Sequence, residues 1–236
     1  APPAAGEPPA AEAGESAAAE AARRVRSDIG GGGASTVVCV LGGVELRNAD
    51  SEALVKAIAP KLEAGTCSNA KFVTGGMPGV QETFAKHCGD GSRVWNLLPV
   101  GQSSSYGRGI DINAGADLEE RKAIFGLVGD IYITVEGGPG VSQEATAAHE
   151  RGAVVVPLMR TGGASNGMFN FPTGALEKPS FATEDQWSLL QSKDAPVNES
   201  AAAVVAICKA CAGDLGELAE EESKAREEEE AEAARK

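Results

Sequence analysis

Between residues 36 and 160 the chain alternates short, wholly apolar runs with longer stretches whose apolar positions recur at helical spacing. Thr36-Val37-Val38-Cys39-Val40-Leu41 reads as a buried strand that stops at Gly42-Gly43. Residues 50–63 follow as a helix with Leu54, Ile58 and Leu62 on one face. Lys71-Phe72-Val73-Thr74 predicts a second strand, ended by Gly75-Gly76, and Pro78 to His87 a second helix. A third strand over 93–98, a Ser/Gly/Asn loop over 101–116 and a short helix over 117–127 come next. Asp130 to Val135 is a fourth strand, then Gly137-Gly138 and a helix to about Arg151, and 153–158 is a fifth strand. Later helices are expected over Glu184 to Gln191, with Trp187, Leu189 and Leu190, and around Val204, Val205 and Ile207. Strands this apolar, joined by helices, need cover on both faces. The expected fold is a Rossmann-like three-layer α/β/α domain with a mainly parallel sheet. Right-handed crossovers then bring the C-terminal end of every strand, with its glycines, to one rim.

Charge separates this core from its ends. The 236 residues carry 34 acids and 21 Lys or Arg, a formal net charge of -13. Residues 1–35 hold five acids and three bases, residues 212–236 ten and four, which leaves -5 for residues 36–211. The Ala/Pro/Gly-rich segment 1–35 has too little apolar area to offset chain entropy and is expected to be a disordered tail. Residues 36–211 are expected to form one Rossmann-like domain, and 212–236 an acidic, helical, solubilising tail. No basic face clusters as a nucleic-acid partner requires, and no apolar run approaches the roughly 20 residues of a membrane span. The segment before residue 36 lacks a basic-then-apolar signal pattern; because the first residue is Ala1, the sequence is a processed chain or a piece of a longer one.

Five cysteines, an odd number, fit reduced thiols and a cytoplasmic setting better than a disulfide framework. Cys208 and Cys211 have the spacing of a redox or metal pair but lie within an Ala/Val helical pattern, and His87 and His149 are the only imidazoles. They read as core thiols; no metal and no resident cofactor are expected.

One turn chemistry occurs twice. Thr74-Gly75-Gly76-Met77-Pro78-Gly79-Val80-Gln81-Glu82 and Glu136-Gly137-Gly138-Pro139-Gly140-Val141-Ser142-Gln143-Glu144 each follow an apolar strand and open a helix. Glycine permits positive φ and close approach, and proline suits the first helical turn. The unpaired N–H groups of that turn, with the helix dipole, make an anion site. Glu82 and Glu144 fall one turn into their helices. The spacing is not the dinucleotide Gly-x-Gly-x-x-Gly, and no Gly-Lys-Ser/Thr marks a Walker loop.

These residues carry a family resemblance. Gly75 to Glu82 resembles the GGGPGxMEA turn of the Lonely Guy (LOG), or lysine-decarboxylase-like, family of cytokinin riboside 5'-monophosphate phosphoribohydrolases. Glu136 to Glu144 resembles its PGGxGTxxE signature, and Leu118-Glu119-Glu120-Arg121-Lys122 its MHxRK segment. The three arrive in family order, with residues 36–160 covered well and 161–211 loosely. The resemblance implies cleavage of the N-glycosidic bond of a nucleoside 5'-monophosphate to free base and ribose 5-phosphate, and a homodimer. It puts Arg121 and Glu144 in the catalytic positions and Gly137, Gly138 and Gly140 in the phosphate cradle. Lys122, Gly42, Gly43, Gly75, Gly76, Gly79, Glu82, Val141 and Ser142 lie along the implied nucleotide site.

The departures bear on the phosphate. Glu136 stands where the family has Pro, Val141 where it has Thr, and Gly43-Val44 follow the first strand where a Gly-Ser is usual. A carboxylate about 6 Å from a phosphate costs roughly 3 kcal/mol per unit charge at an effective dielectric of 20. A helix terminus returns at most about 2 kcal/mol. Glu136 is therefore expected to turn away or be paired, or else the phosphate is bound poorly. Two readings follow: a hydrolase whose phosphate sits differently, helped by Arg108, or a non-catalytic carrier or sensor resembling the molybdenum-cofactor carrier proteins. Ile110-Asp111-Ile112-Asn113-Ala114-Gly115 resembles that carrier branch as much as the hydrolases. In both of these readings the partner is a small nucleotide-like molecule; a third, non-catalytic class is a domain that only dimerises and presents its acidic tail.

Overall fold

The computed structural model describes residues 16–30, 35–65 and 70–233. Six parallel strands form one sheet: β1 (Val37–Gly42), β2 (Lys71–Thr74), β3 (Val94–Leu98), β4 (Ile110–Asn113), β5 (Ile131–Val135) and β6 (Val154–Leu158), in the order β4-β3-β2-β1-β5-β6. β1 is central because all six of its residues are buried. Pro157, which has no N–H for a ladder, is tolerated on β6 because that strand is an edge.

Alternation along the strands divides the core in two. Val38 and Val40 face one apolar cluster with α2 (Ser51–Gly65), α3 (Val80–His87), α6 (Glu184–Gln191) and α7 (Val197–Ala233). Val37, Cys39 and Leu41 face the other, with α1 (Ala17–Asp28), α4 (Leu118–Val128) and α5 (Pro139–Glu150). The three-layer α/β expectation holds, with the sheet wholly parallel.

Three differences from the sequence reading have physical causes. The loop expected over 101–116 contains β4, an exposed edge strand whose polar positions disguise it. Asp111 accepts hydrogen bonds from Ser104 and Asn96, and Asn113 donates to the carbonyls of Pro99 and Gln102. The disordered tail expected over 1–35 includes α1. Ser16 caps that helix, its Ala22 and Val25 are buried, Ile29 just beyond it is buried too, and Arg26 pairs with Asp130 at 2.9 Å. The rest of that expectation, residues 1–15 and 31–34, lies outside the described residues. Finally, the boundary drawn at 212 falls inside α7, so the helix expected in the acidic tail is a continuation of the core helix. Cys208 and Cys211 are buried in the apolar cluster under α7, as core thiols should be. Among the described residues no helix is long and apolar enough to cross a membrane.

Candidate functional site

Strand order reverses between β1 and β5, and the crevice beyond their C-terminal ends is where open α/β sheets bind ligands. Here the Gly43 N–H bonds the Val135 carbonyl at 3.2 Å, drawing the two strand ends together. A cavity of about 470 Å³ opens over them, lined by residues of the β1–α2 loop, the Glu136–Pro139 turn and the loop after β6. That volume lies within the range of small-molecule sites.

The second glycine turn supplies the floor. Gly137 has φ 92, which glycine alone adopts freely, and a Cβ there would press Val141 at 2.6 Å. A Cβ on Gly138 would meet nothing within 4 Å, so the N-cap of α5 faces open space. The N–H groups of Gly140 and Val141, in the first turn of α5, have no acceptor inside the helix. The loop after β6 cements this turn: Ala164 N–H bonds Gly137 O at 2.9 Å, Ser165 N–H bonds Glu136 O at 3.0 Å, and Thr161 Oγ1 accepts from Glu136 N–H at 2.8 Å.

Glu136 is paired. It takes φ 53, rare for a non-glycine residue, and its carboxylate accepts the N–H of Arg47 at 3.0 Å and of Asn48 at 2.9 Å. The charge expected to oppose a phosphate is thus spent on the β1–α2 loop. It remains at the cavity wall, which the exposed Arg47 and Glu45, paired with each other at 3.1 Å, also line.

The first glycine turn has a different job. Gln81, a residue sequence reasoning passed over, is buried and its Oε1 accepts from Gly75 N–H at 2.9 Å and Met77 N–H at 3.1 Å. Gly76 N–H bonds Thr74 Oγ1 at 3.2 Å. Those donors are engaged by the protein. Gly79, at φ 76, is pressed against Gly43 and Val44, and a Cβ on Gly42 would strike Val80 at 2.4 Å. Gly42, Gly75, Gly76 and Gly79 therefore serve close packing of the rim, and of the glycines in the turns after β1 and β2 Gly43 is the one that lines the cavity.

Arg121 and Glu144 converge. Arg121 Nη1 lies 2.6 Å from Glu144 Oε1, and the side chains are 3% and 5% exposed. The guanidinium rests over the Phe125 ring at 5.5 Å, and Arg121 Nε has no hydrogen-bond partner. Burial pushes the Glu144 carboxyl up to about 7, while Arg121 and then Lys122 pull it back. Lys122 pairs with Glu119 at 2.7 Å and donates to Gln143 at 3.0 Å. Neither Arg121 nor Glu144 lines the 470 Å³ cavity. The pair sits between α4 and α5, under Gly75.

The remaining expected residues are placed elsewhere or otherwise engaged. Glu82 pairs with Lys86 at 2.6 Å on the surface of α3. Arg108 donates to the Gly89 carbonyl and packs on Gly91, at the N-terminal end of β3 and away from the rim. Val141 is buried in the core under α5, and Ser142 Oγ donates to Phe169 O at 2.8 Å. Met168 and Phe169 line the cavity and were missed. They sit in a Gly/Asn-rich run without periodicity; the available signal was two large apolar residues where a loop needs none.

No family model matches the chain, and no curated protein matches it by sequence. Solved structures give weak likenesses. The chain is similar to the structural-genomics target TM1055 at 20% identity and a TM-score of 0.46, over 56% of this chain and 78% of that one. It is similar to the Moco carrier protein from Chlamydomonas reinhardtii at 18% and 0.49, over 74% and 98%. It is similar to DNA processing protein A from Helicobacter pylori, described for its single-stranded DNA binding mode, at 15% and 0.42, over 51% and 63%.

Proposed function

We propose that the cavity at the strand switch binds a small molecule with a phosphate monoester on a ribose or pterin-like heterocycle. The phosphate sits against the first turn of α5 at Gly138, Gly140 and Val141. The observation carrying this reading is the open space in front of Gly138, at a helix terminus whose N–H groups lack intrahelical acceptors. Arg47 at the cavity wall supplies a cation. Calorimetric titration with AMP tests it: saturable binding is expected, weakened at least tenfold by Gly138→Ala with the urea midpoint unchanged. Equal binding by the variant ends the reading. Molybdenum content and ultraviolet absorbance of co-purified material tell a pterin carrier from a nucleotide binder.

One observation favours catalysis as a second reading. A carboxyl near 7, hydrogen-bonded to a guanidinium, suits proton transfer at neutral pH. In N-glycosidic hydrolysis the oxygen of water bonds to the ribose C1' as the C1'–N bond breaks. Glu144 takes the proton that water loses and returns it to the departing base nitrogen. Positive charge developing on the ribose is stabilised by the carboxylate. The pair is buried and neither residue lines the cavity, which makes this the second reading, because ligand binding must open a path to it. Incubation with AMP and isopentenyladenosine monophosphate, followed by assay of free base, decides it. Wild type no faster than Glu144→Gln removes the hydrolase.

A further inference from the structure

Phe169 is held in a conformation that bulky residues avoid, and it is held out of the core. Its φ is 62, followed by Asn170 at 59 and preceded by Gly167 at 88. A left-handed Phe is a strained outlier that persists only where its surroundings over-determine it. They do so here. Ser142 Oγ donates to Phe169 O at 2.8 Å, Met168 N–H bonds Gly163 O at 3.3 Å and Phe171 N–H bonds Met168 O at 3.3 Å. Phe171 is the anchor, 3% exposed in the core, whereas Phe169 is 46% and Met168 53% exposed. An ordinary core contact does not explain ring and thioether left at the surface. Both line the 470 Å³ cavity, and Phe169 also lines a second cavity of about 580 Å³ along α5. The hydroxyl bracing the Phe169 carbonyl belongs to α5 itself, so the backbone that carries the ring is tied to the helix whose first residues line the same cavity.

We propose that Phe169, with Met168 beside it, is the platform on which the aromatic heterocycle of the ligand stacks. This rests on the phosphate-binding reading and extends it by giving the ring its own subsite. Every base has a π-face, so stacking of this kind selects for a planar ring with little preference among bases. Met168, unbranched and polarizable, fits itself to the edge of whichever ring is present.

Phe169→Gly is the decisive variant, since glycine takes φ 62 without cost and the lost ring was half exposed. Wild type, Phe169→Gly and Phe169→Trp are titrated calorimetrically with AMP, adenosine and ribose 5-phosphate, alongside thermal melts. The expected result is an unchanged or higher melting temperature for Phe169→Gly and about tenfold weaker AMP and adenosine. Ribose 5-phosphate stays within twofold, and Phe169→Trp, which keeps a π-face, retains AMP. Equal losses for AMP and ribose 5-phosphate overturn the proposal, because Phe169 would then only brace α5. Unchanged AMP binding overturns it as well. Wild type that takes ribose 5-phosphate but gains nothing from the base loses the platform and keeps the phosphate site. Adenosine binding without ribose 5-phosphate binding does the reverse. Binding of none of the three overturns both.

Discussion

The guanidinium of Arg121 occupies the space that a side chain on Gly75 would need: a Cβ there would lie 2.9 Å from Nη1 and 3.0 Å from Nη2. Gly75 has no positive φ, so glycine is required here by the neighbour and not by the backbone. The end of β2 thereby fixes where a residue of α4 meets Glu144 of α5.

Gly75→Ala should therefore push the guanidinium off the carboxylate. The expected cost is about 1–3 kcal/mol, as for other overpacked cores. Its signature is coupling: combined with Glu144→Gln, the alanine should cost measurably less than it does alone, because the contact it disturbs is already weakened. Additive losses in a urea-denaturation cycle would mean that Arg121 moves without straining the pair.

The Glu144 carboxyl, raised by burial to about 7 from an ordinary 4.5, makes stability depend on pH in a defined direction. Between those values the folded chain holds a proton that the unfolded chain has released. The stability that Glu144 contributes is thus full below pH 4.5 and falls as pH rises toward 7, by roughly 3 kcal/mol. Glu144→Gln mimics the protonated acid and should lose this decline, becoming more stable than wild type above pH 7. Urea melts at intervals from pH 4.5 to 8 measure both slopes. Parallel curves would show that the guanidinium already cancels the burial of the carboxylate.

Strands read easily in this chain where burial on both faces left an unbroken apolar run, as in Val37 to Leu41 or Ile131 to Val135. β4 did not, because an edge strand facing water at Ile110, Asp111 and Asn113 has the composition of a loop. The meeting of Arg121 with Glu144 was legible from paired glycine turns and the family resemblance. Its burial was not, since nothing local distinguishes a carboxylate on a rim from one behind it. The two turns looked alike in sequence yet diverge in use: Gln81 engages the donors of the first, whereas Gln143 in the matching place of the second binds Lys122. Met168 and Phe169 lay beyond pattern reading because their positions are set by a long-range bond from Ser142 and a turn closed on Gly163.

The first helix offers the last test. α1 belongs to the fold through two kinds of contact. Ala22, Val25 and Ile29 are buried against the cluster that includes Ile124, Phe125 and Val128 of α4. Arg26 donates from Nη1 to the Val128 carbonyl at 2.6 Å and grips both oxygens of Asp130, whose Oδ2 also accepts the Val37 N–H at 2.8 Å. The helix thus holds the start of β1 and β5 through one carboxylate. Burial of a Val and an Ile is worth about 1.5–3 kcal/mol each, so removing residues 1–30 should cost roughly 3–6 kcal/mol. Arg26→Ala alone should cost about 1–3 kcal/mol, because a charge-assisted pair is lost and the half-buried Asp130 is left to the Val37 N–H. Chemical denaturation of the three proteins measures both. A truncated chain that unfolds at the wild-type denaturant concentration would mean that α1 does not dock in solution.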